Sequence, residues 1–366
     1  MPSRRGFLAG LLASSVTPTA TWADVGAPAY LSAGKDALGL FVMAGLSAVG
    51  EVLFRHPLPD RGHAASAHPT RPEAVAFARR PGRFADVIDC RSGAQLARLE
   101  PPEGHHFYGH GVFSPEGEVL YTTENDYTRG AGVIGVWNAG DYRRIGQFSS
   151  GGIGPHEMLL RRDAPGLVVA NGGIETHPES GRAKLNIPFM RPNLSYLSLS
   201  GEIQHQMELP ADLHKNSIRH IAVRSDGAVG FAMQWQGDLG ADVPIVGLHQ
   251  PGSAPRLMAE DDPRLRNLNG YGGSIAFSGD ETALAVTSPR GGVVQVVDCT
   301  SGALHAEHAL SDVCGLAPLK DGFLVSTGTG IMAQIGTEVT TLAQAPLAWD
   351  NHLIALSSAA SVPRQP

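Results

Sequence analysis

Histidine occupies the same position in five short segments of the chain, and these five side chains are candidate metal ligands. The segments are His63-Ala-Ala-Ser-Ala, His110-Gly-Val-Phe-Ser, His156-Glu-Met-Leu-Leu, His220-Ile-Ala-Val-Arg and His352-Leu-Ile-Ala-Leu. Ser274-Ile-Ala-Phe-Ser and Cys314-Gly-Leu-Ala-Pro occupy the same column, and the seven positions follow at intervals of 47, 46, 64, 54, 40 and 38 residues. A repeat of this size arranges equivalent residues around a ring. Because imidazole is the commonest metal ligand, the column predicts a metal site.

The ligand set predicted from this column contains nitrogen and sulfur donors, which suit transition metals. We expect iron or copper to be bound by His63, His110, His156, His220, His352 and Cys314. Six further residues flank the column or the predicted strand ends, where they could orient the ligands or line the channel: Glu157, Arg219, Asp350, His106, Glu124 and His177. Adjacent residues of a strand point to opposite faces, so at most one of His105 and His106 contributes.

The same column has a structural interpretation. If the histidines hydrogen-bond to one another and to channel water, the ring is a polar plug and the protein is a non-catalytic interaction scaffold. Cys314 could then be a small buried residue that fills space.

Motif searches exclude several kinds of chemistry. The sequence contains no Gly-x-Ser-x-Gly elbow, P-loop, His-Glu-x-x-His pair or Cys-x-x-Cys haem attachment site, so no hydrolase motif, nucleotide or covalent haem is expected. A calcium-dependent lactonase would need oxygen ligands in the column. The formal net charge of -7 argues against a nucleic-acid partner. The histidine column is compatible with a metal-dependent redox activity.

Short strands separated by turns predict an all-β fold. Each column segment leads into a turn, such as Ser114-Pro-Glu-Gly117 or Ser225-Asp-Gly227, and then into a second β-rich run. Third and fourth runs follow, which gives seven repeats of four antiparallel strands, the pattern of a seven-bladed β-propeller. The last segment supplies His352 without a following blade, so we expect the C-terminal strand to pair with the N-terminal blade. Helices should be nearly absent, and residues 174–194 should form an excursion from the fourth blade.

The N-terminus resembles a twin-arginine export signal. Ser3-Arg4-Arg5-Gly6-Phe7-Leu8 precedes a short apolar run and a small-residue cleavage site near Ala23. We therefore expect a signal peptide at residues 1–23, one propeller domain at residues 24–366, a periplasmic location and no stable membrane span after cleavage.

The three cysteines are not expected to form a disulfide. Cys90 and Cys299 occupy equivalent turns in the second and sixth blades, which are not neighbours in the ring. Their Cα atoms should lie beyond the separation of about 7 Å that a disulfide can span.

Longer motifs resemble one protein family over nearly all of the expected mature chain. They are Pro59-Asp-Arg-Gly-His63, Ala78-Arg-Arg-Pro-Gly82, His106-Phe-Tyr-Gly-His-Gly-Val-Phe-Ser114, Tyr121-Thr-Thr-Glu-Asn-Asp-Tyr127, Gly152-Ile-Gly-Pro-His-Glu157, Val169-Ala-Asn-Gly-Gly-Ile174, Thr176-His-Pro178, Ser217-Ile-Arg-His220 and Thr287-Ser-Pro-Arg-Gly-Gly292. This set is similar to that of the bacterial exported family called domain of unknown function 1513. The resemblance implies a propeller-like exported protein with functional residues at His63, His110, His156 and His220. It also implies a partner among the imelysin-like periplasmic proteins of iron uptake, beside which the family is often encoded.

Overall fold

The computed structural model describes residues 20–79, 83–181 and 183–356. Most of the predicted signal peptide therefore lies outside the described residues. The expected boundary at residues 23 and 24 falls within a short 3-10 helix, Trp22–Val25, whose Trp22 indole nitrogen donates a 2.8 Å hydrogen bond to the His68 carbonyl. That boundary remains a prediction. Within the described ranges, no helix has the length and apolar character required to span a bilayer.

The chain forms seven four-stranded antiparallel sheets arranged as the blades of a propeller. Blade 1 contains β1 (Tyr30–Asp36), β2 (Phe41–Leu46) and β3 (Val52–Pro57), and is completed at the chain's end. Blade 2 contains β4 (Gly62–Ala67), β5 (Glu73–Ala78), β6 (Ala85–Asp89) and β7 (Gln95–Leu99). Blade 3 contains β8 (His105–Phe113), β9 (Val119–Asp126), β10 (Ala131–Asn138) and β11 (Arg144–Ser149). Blade 4 contains β12 (Pro155–Leu160), β13 (Leu167–Asn171), β14 (Asn193–Leu197) and β15 (Ile203–Glu208).

The remaining blades repeat this order. Blade 5 contains β16 (Asn216–Val223), β17 (Val229–Trp235), β18 (Val246–His249) and β19 (Arg256–Leu257). Blade 6 contains β20 (Ser274–Phe277), β21 (Ala283–Ser288), β22 (Val293–Asp298) and β23 (Leu304–Ala309). Blade 7 contains β24 (Val313–Pro318), β25 (Phe323–Thr327), β26 (Ile331–Ile335) and β27 (Val339–Gln344), and the final strand is β28 (Leu347–Ala355).

The ring closes as the sequence predicted. Strand β28 pairs antiparallel with β1, so that the C-terminal strand is the innermost strand of the N-terminal blade. The edge of blade 1 nearest the channel is thereby formed by the last strand of the chain. This pairing joins the two ends of the described chain and leaves no open seam between blades 7 and 1.

The hydrophobic core is divided into seven clusters, each lying between two neighbouring blades. Phe77 and Val87 of blade 2 pack with Phe107 and Trp137 of blade 3, for example. Alternating residues of each strand face one neighbouring blade or the other. Because every blade buries both of its faces, the residues of its middle strands are mostly buried, and the ring holds the inner strands around the channel.

Regular helix is confined to five short 3-10 segments in the described chain. They are Trp22–Val25, Pro178–Ser180, Ile187–Phe189, Ala211–Leu213 and Pro263–Leu268. Two of them lie in the connection between β13 and β14, which confirms the predicted excursion from blade 4. Cys90, Cys299 and Cys314 are separate, buried thiols, and the first two follow the third strands of blades 2 and 6.

Candidate metal centre

The predicted column lies on the innermost strands of the seven blades. His352, His63, His110, His156 and His220 come from β28, β4, β8, β12 and β16, which belong to blades 1 to 5 in order around the ring. Ser274 and Cys314 occupy the corresponding strands of blades 6 and 7. Histidines from five consecutive blades therefore face one side of the channel.

Backbone irregularities at the column bring these side chains into the channel. The pairing between first and second strands shifts register at the column in six of the seven blades, with β20 as the regular exception. In blade 2, for instance, Gly62 pairs with Ala78 and Ala65 pairs with Ala76. The inner strand therefore contains one more residue than its partner between these two pairs. Extra residues of this kind bend a strand and change the direction of its side chains. The bulges thus aim the histidines away from the sheet and towards the ring axis.

Hydroxyl groups on second strands hold the bulged backbone. The Thr123 hydroxyl donates hydrogen bonds to the His110 carbonyl at 3.1 Å and the His156 carbonyl at 3.3 Å. The Ser32 hydroxyl donates to the His352 carbonyl at 2.8 Å. Buried carbonyl groups that leave the sheet ladder need such partners. The donors fix the backbone orientation of three of the five histidines.

One glycine is required by the close approach of the rings. Gly109 has a φ of 99°, and a Cβ built on it would lie 2.6 Å from Cδ2 of His63. A residue with a side chain would be strained by the left-handed conformation and would displace the imidazole. Gly109 therefore allows blades 2 and 3 to present His63 and His110 side by side.

The five imidazoles form one compact cluster. The His63 ring centroid lies 4.9 Å from that of His110, 5.4 Å from that of His156 and 4.7 Å from that of His352. The His220 ring lies 4.8 Å from both the His156 and the His352 rings. Nε2 of His110 is 3.2 Å from Nε2 of His63. Side chains separated by up to 289 residues in the sequence thus meet at one point.

Potential ligand atoms in this cluster fall into three overlapping groups. In each group, one atom from each residue lies within 4.8 Å of the others, and the groups are His63, His110 and His352; His110, His156 and His220; and Glu157, His220 and His352. Each group could hold a metal ion. The structure therefore brings together all five predicted histidines and adds Glu157 as a direct ligand candidate.

Glu157 lies between two histidines and accepts a backbone hydrogen bond. Its Oε2 accepts a 2.9 Å hydrogen bond from the Ile221 N–H and lies 3.3 Å from His220 Nδ1, and its Oε1 is 4.0 Å from His110 Nδ1. Burial raises the pKa of the Glu157 carboxyl above its usual value. A bound cation would restore the charged form.

Burial keeps the imidazoles neutral, which is the form that binds metals. Desolvation, reinforced by the positive charges of Arg219 and Arg79, lowers the pKa of His220 to about 3. Desolvation, and then repulsion from protonated His220, lowers the pKa of His352 to about 3. The pKa values of His63, His110 and His156 also lie well below the usual range, mainly because of burial. All five rings are therefore neutral at neutral pH, and each has one unprotonated nitrogen that can bind a metal.

Three ring nitrogens in the cluster lack hydrogen-bond partners among the described residues. They are Nδ1 of His63, Nδ1 of His156 and Nε2 of His352. Leaving a buried polar atom unpaired costs about 1–3 kcal/mol. Their concentration in one place indicates a site built for an additional group.

The other predicted ligand, Cys314, has a different environment. It lies on β24, and its thiol donates to the Asp312 carbonyl at a sulfur–oxygen distance of 3.1 Å. Burial and nearby Asp312 raise its pKa to about 12, so the thiol is protonated at neutral pH. Cys314 is absent from the three groups of the described cluster. Its role as a ligand remains a prediction.

The flanking residues divide into those at the cluster and those elsewhere. Asp350 accepts from Arg61 at 2.6 Å and from Arg79 at 3.2 Å, and Arg219 lines a cavity beside the histidines. Both therefore lie near the cluster, and their roles in orienting ligands or lining the channel remain predictions. Glu124 instead forms a bidentate ion pair with Arg144 inside blade 3, at 2.7 and 2.9 Å.

His106 and His177 lie outside the three ligand groups. The His106 ring contacts the Phe107 carbonyl at 3.0 Å and the Asn125 amide at 3.2 Å. His177 precedes the 3-10 helix Pro178–Ser180 and accepts from the Glu179 N–H at 3.3 Å. Neither these residues nor His105 belong to the described metal groups.

A cavity of about 440 Å³, which the sequence does not predict, adjoins the cluster. His63, His156 and His220 form part of its wall, together with the positively charged side chains of Arg79, Arg219, Arg290 and Lys184. Arg79 and Arg290 lie in two of the motifs noted above, Ala78–Gly82 and Thr287–Gly292. A single sequence does not show that connections from different blades bring these charges together.

One protein-family model matches most of the chain. The family model described as "Protein of unknown function (DUF1513)" matches residues 56–356. The chain belongs to this family. The match includes all five clustered histidines and confirms the predicted resemblance. No curated protein matches the sequence of this DUF1513 protein significantly.

Solved structures with similar folds are distant in sequence. A chain of Kuenenia stuttgartiensis hydrazine synthase has a TM-score of 0.57 and 13% identity, with 84% of the DUF1513 chain and 89% of that chain covered. A chain of the mitotic checkpoint complex has a TM-score of 0.54 and 11% identity, with 78% and 79% covered. At these identities, the similarities concern the fold alone.

Acid should destabilise the metal-free DUF1513 protein. The unfolded chain takes up protons on these histidines near pH 6.5, whereas native His220 and His352 take them up near pH 3. Stability is therefore lost as pH falls below about 6.5, by about 2 kcal/mol per imidazole between pH 7 and pH 5. Urea unfolding at the two pH values measures this loss, and His352→Asn should reduce it. Equal stability of the wild-type protein at pH 7 and pH 5 would contradict neutral buried imidazoles.

Proposed function

We propose that this protein is a periplasmic, transition-metal-binding β-propeller that captures iron or copper for an uptake system. The observation that carries the proposal is the group of five buried, neutral imidazoles with Glu157 beside them, in three overlapping sets whose ligand atoms lie within 4.8 Å. Neutral imidazole suits iron, copper, nickel and zinc, whereas calcium and magnesium prefer oxygen ligands. The site favours a transition metal.

The ring spacing supports shared coordination of one ion. Two nitrogens bound to one metal at about 2.0–2.2 Å are separated by about 2.8–3.6 Å for bond angles between about 90° and 109°. The Nε2 atoms of His63 and His110 are 3.2 Å apart. A modest contraction of the other rings would complete a coordination sphere, with Glu157 as an oxygen donor that partly offsets the charge of the ion.

Iron and copper are supported by different observations. Iron follows from the resemblance to a family often encoded beside imelysin-like proteins of iron uptake, which are the proposed partners. Copper follows from the number of imidazoles. The periplasmic location follows from the motif at Ser3–Leu8, which resembles a twin-arginine signal.

Competition among metals tests the assignment. Metal-free protein would be titrated without oxygen with Fe²⁺, Cu²⁺, Ni²⁺ and Zn²⁺, singly and in pairs, against a chromophoric chelator. We expect about one equivalent of iron or copper to bind at micromolar concentration or below. Tighter binding of zinc or nickel than of iron and copper would contradict the assignment to iron or copper. Failure to bind any of the four metal ions would contradict the proposed function.

The export signal has its own test. Recovery of the Arg4→Lys/Arg5→Lys variant in the periplasm as efficiently as the wild type would contradict twin-arginine export.

A further inference from the structure

The cavity beside the histidines is strongly positive. Arg79, Arg219, Arg290 and Lys184 line it, and none of the residues that line it in the described chain is acidic. The whole protein has a formal charge of -7, so this concentration of positive charge runs against the overall composition. Such a cavity attracts and retains anions.

The carboxylate at the Arg79 side of the cavity offsets only part of the charge there. Asp350 pairs with Arg79 at 3.2 Å, but it also pairs with Arg61 at 2.6 Å, so one negative charge is shared by two guanidinium groups. The Arg290 guanidinium lies over the Tyr271 ring, 4.4 Å from its centroid, which holds it at the cavity without cancelling its charge. Lys184 Nζ donates a hydrogen bond to the side-chain oxygen of Gln236, which also lines the cavity. A bound metal cation would increase the excess of positive charge.

The fold explains why these charges meet. Arg79, Lys184 and Arg290 lie in the connections between second and third strands of blades 2, 4 and 6, and Arg219 lies on the inner strand of blade 5. Connections of this type all emerge on the same face of the ring, because the blades share one strand order. The charges therefore surround one mouth of the channel from several sides.

We propose that this cavity binds a small di- or tricarboxylate anion. Its volume of about 440 Å³ lies within the range of about 300–1,000 Å³ typical of small-molecule sites. Arg79 and Arg219 come from blades three positions apart in the ring, so the cations reach the cavity from different sides and suit an anion with several negative groups. Guanidinium groups match planar carboxylates in bidentate pairs.

The anion would also adjoin the metal ligands. His63, His156 and His220 line the same cavity, so a carboxylate oxygen could complete the coordination of an ion held there and offset its charge. This second part rests on the proposed function, whereas anion binding by the cavity does not. The substrate would then be a metal with its carboxylate ligand, captured together.

Calorimetric titration of the metal-free full chain with citrate tests the anion site. We expect saturable binding of one citrate with a dissociation constant below 1 mM that weakens as salt is added, and at least tenfold weaker binding of inorganic phosphate. The Lys184→Gln/Arg290→Gln variant alters two exposed side chains and should weaken citrate binding at least tenfold. The matched control is Arg91→Gln/Arg143→Gln, which removes the same charge from exposed outer turns and should bind citrate as the wild type does.

The outcomes separate this inference from the metal proposal. No citrate binding by either metal-free or metal-loaded protein would overturn the inference even if metal binds. Equal weakening in both double variants, or phosphate binding as tight as citrate binding, would also overturn it. Citrate binding by a protein that takes up no metal would support the anion site and contradict the proposed metal function alone.

Discussion

Replacing His220 with alanine should raise the dissociation constant of the bound metal more than 100-fold. His220 belongs to two of the three potential ligand groups, and it lies 3.3 Å from the Glu157 carboxylate that we expect to share the ion. Loss of groups that merely support a ligand typically weakens metal binding 10- to 100-fold, so loss of a ligand should cost more. A factor of 100 corresponds to about 2.7 kcal/mol of binding free energy. Chelator competition with Fe²⁺ and Cu²⁺ measures the change.

His249 offers a matched control for this experiment. It belongs to the same blade, is fully buried, and burial lowers its pKa to about 4, but its ring bonds to the Tyr196 hydroxyl at 2.6 Å and the Ser253 carbonyl at 3.1 Å. His249→Ala therefore removes a buried imidazole without touching the cluster. Equal losses of affinity in the two variants would mean that the effect arises from general destabilisation, and unchanged affinity in His220→Ala would remove His220 from the site.

Replacing Glu124 with glutamine should destabilise the protein by about 3 kcal/mol. Glu124 is completely buried, accepts from the Thr122 hydroxyl at 2.8 Å, and binds Arg144 through both oxygens. The pair spans the intervening strand at Gly135, where a Cβ would lie 1.9 Å from Glu124 Oε1. Breaking a buried ion pair leaves an uncompensated charge and costs about 3–5 kcal/mol, and the partial exposure of Arg144 places the estimate at the lower end. Urea unfolding at pH 7 measures the loss.

Two comparisons identify the cause of that loss. The exposed pair of Glu208 and Arg191 provides a control, because Glu208→Gln should leave the free energy of unfolding almost unchanged. The double variant Glu124→Leu/Arg144→Met should be more stable than Glu124→Gln, since it leaves no unpaired charge. Metal binding should be unchanged in Glu124→Gln, and its loss would return Glu124 to the channel role that its sequence position suggested.

The blade repeat and the histidine column could be predicted because each produces a recurring pattern in the sequence. Turn residues recur between β-rich runs, and His110 and His156 begin runs of the same kind, so the ring and its inner positions follow from counting. The pairing of β28 with β1 follows from the unmatched segments at the two ends. These features depend on local pattern and on the need to bury sheet edges.

The role of Glu157 could not be predicted in this way. In a regular strand, Glu157 would point away from its neighbour His156, since successive side chains alternate. The register shift between Pro155 and Met158 removes that alternation and lets both side chains reach the cluster. Bulges are set by the pairing of two strands and leave no periodic signal. Glu124 shows the reverse case, because its partner Arg144 lies two strands away in the same blade.

Elemental analysis tests the central claim most directly. The protein would be exported to the periplasm, purified without a His tag and analysed by plasma mass spectrometry, beside the His110→Ala/His156→Ala variant and the His249→Ala control. We expect nearly one equivalent of iron or copper in the wild type and the control, and its loss from the double variant. Folded wild-type protein that is free of metal and takes up none when iron and copper are added would contradict the metal site and make the histidine cluster a structural plug.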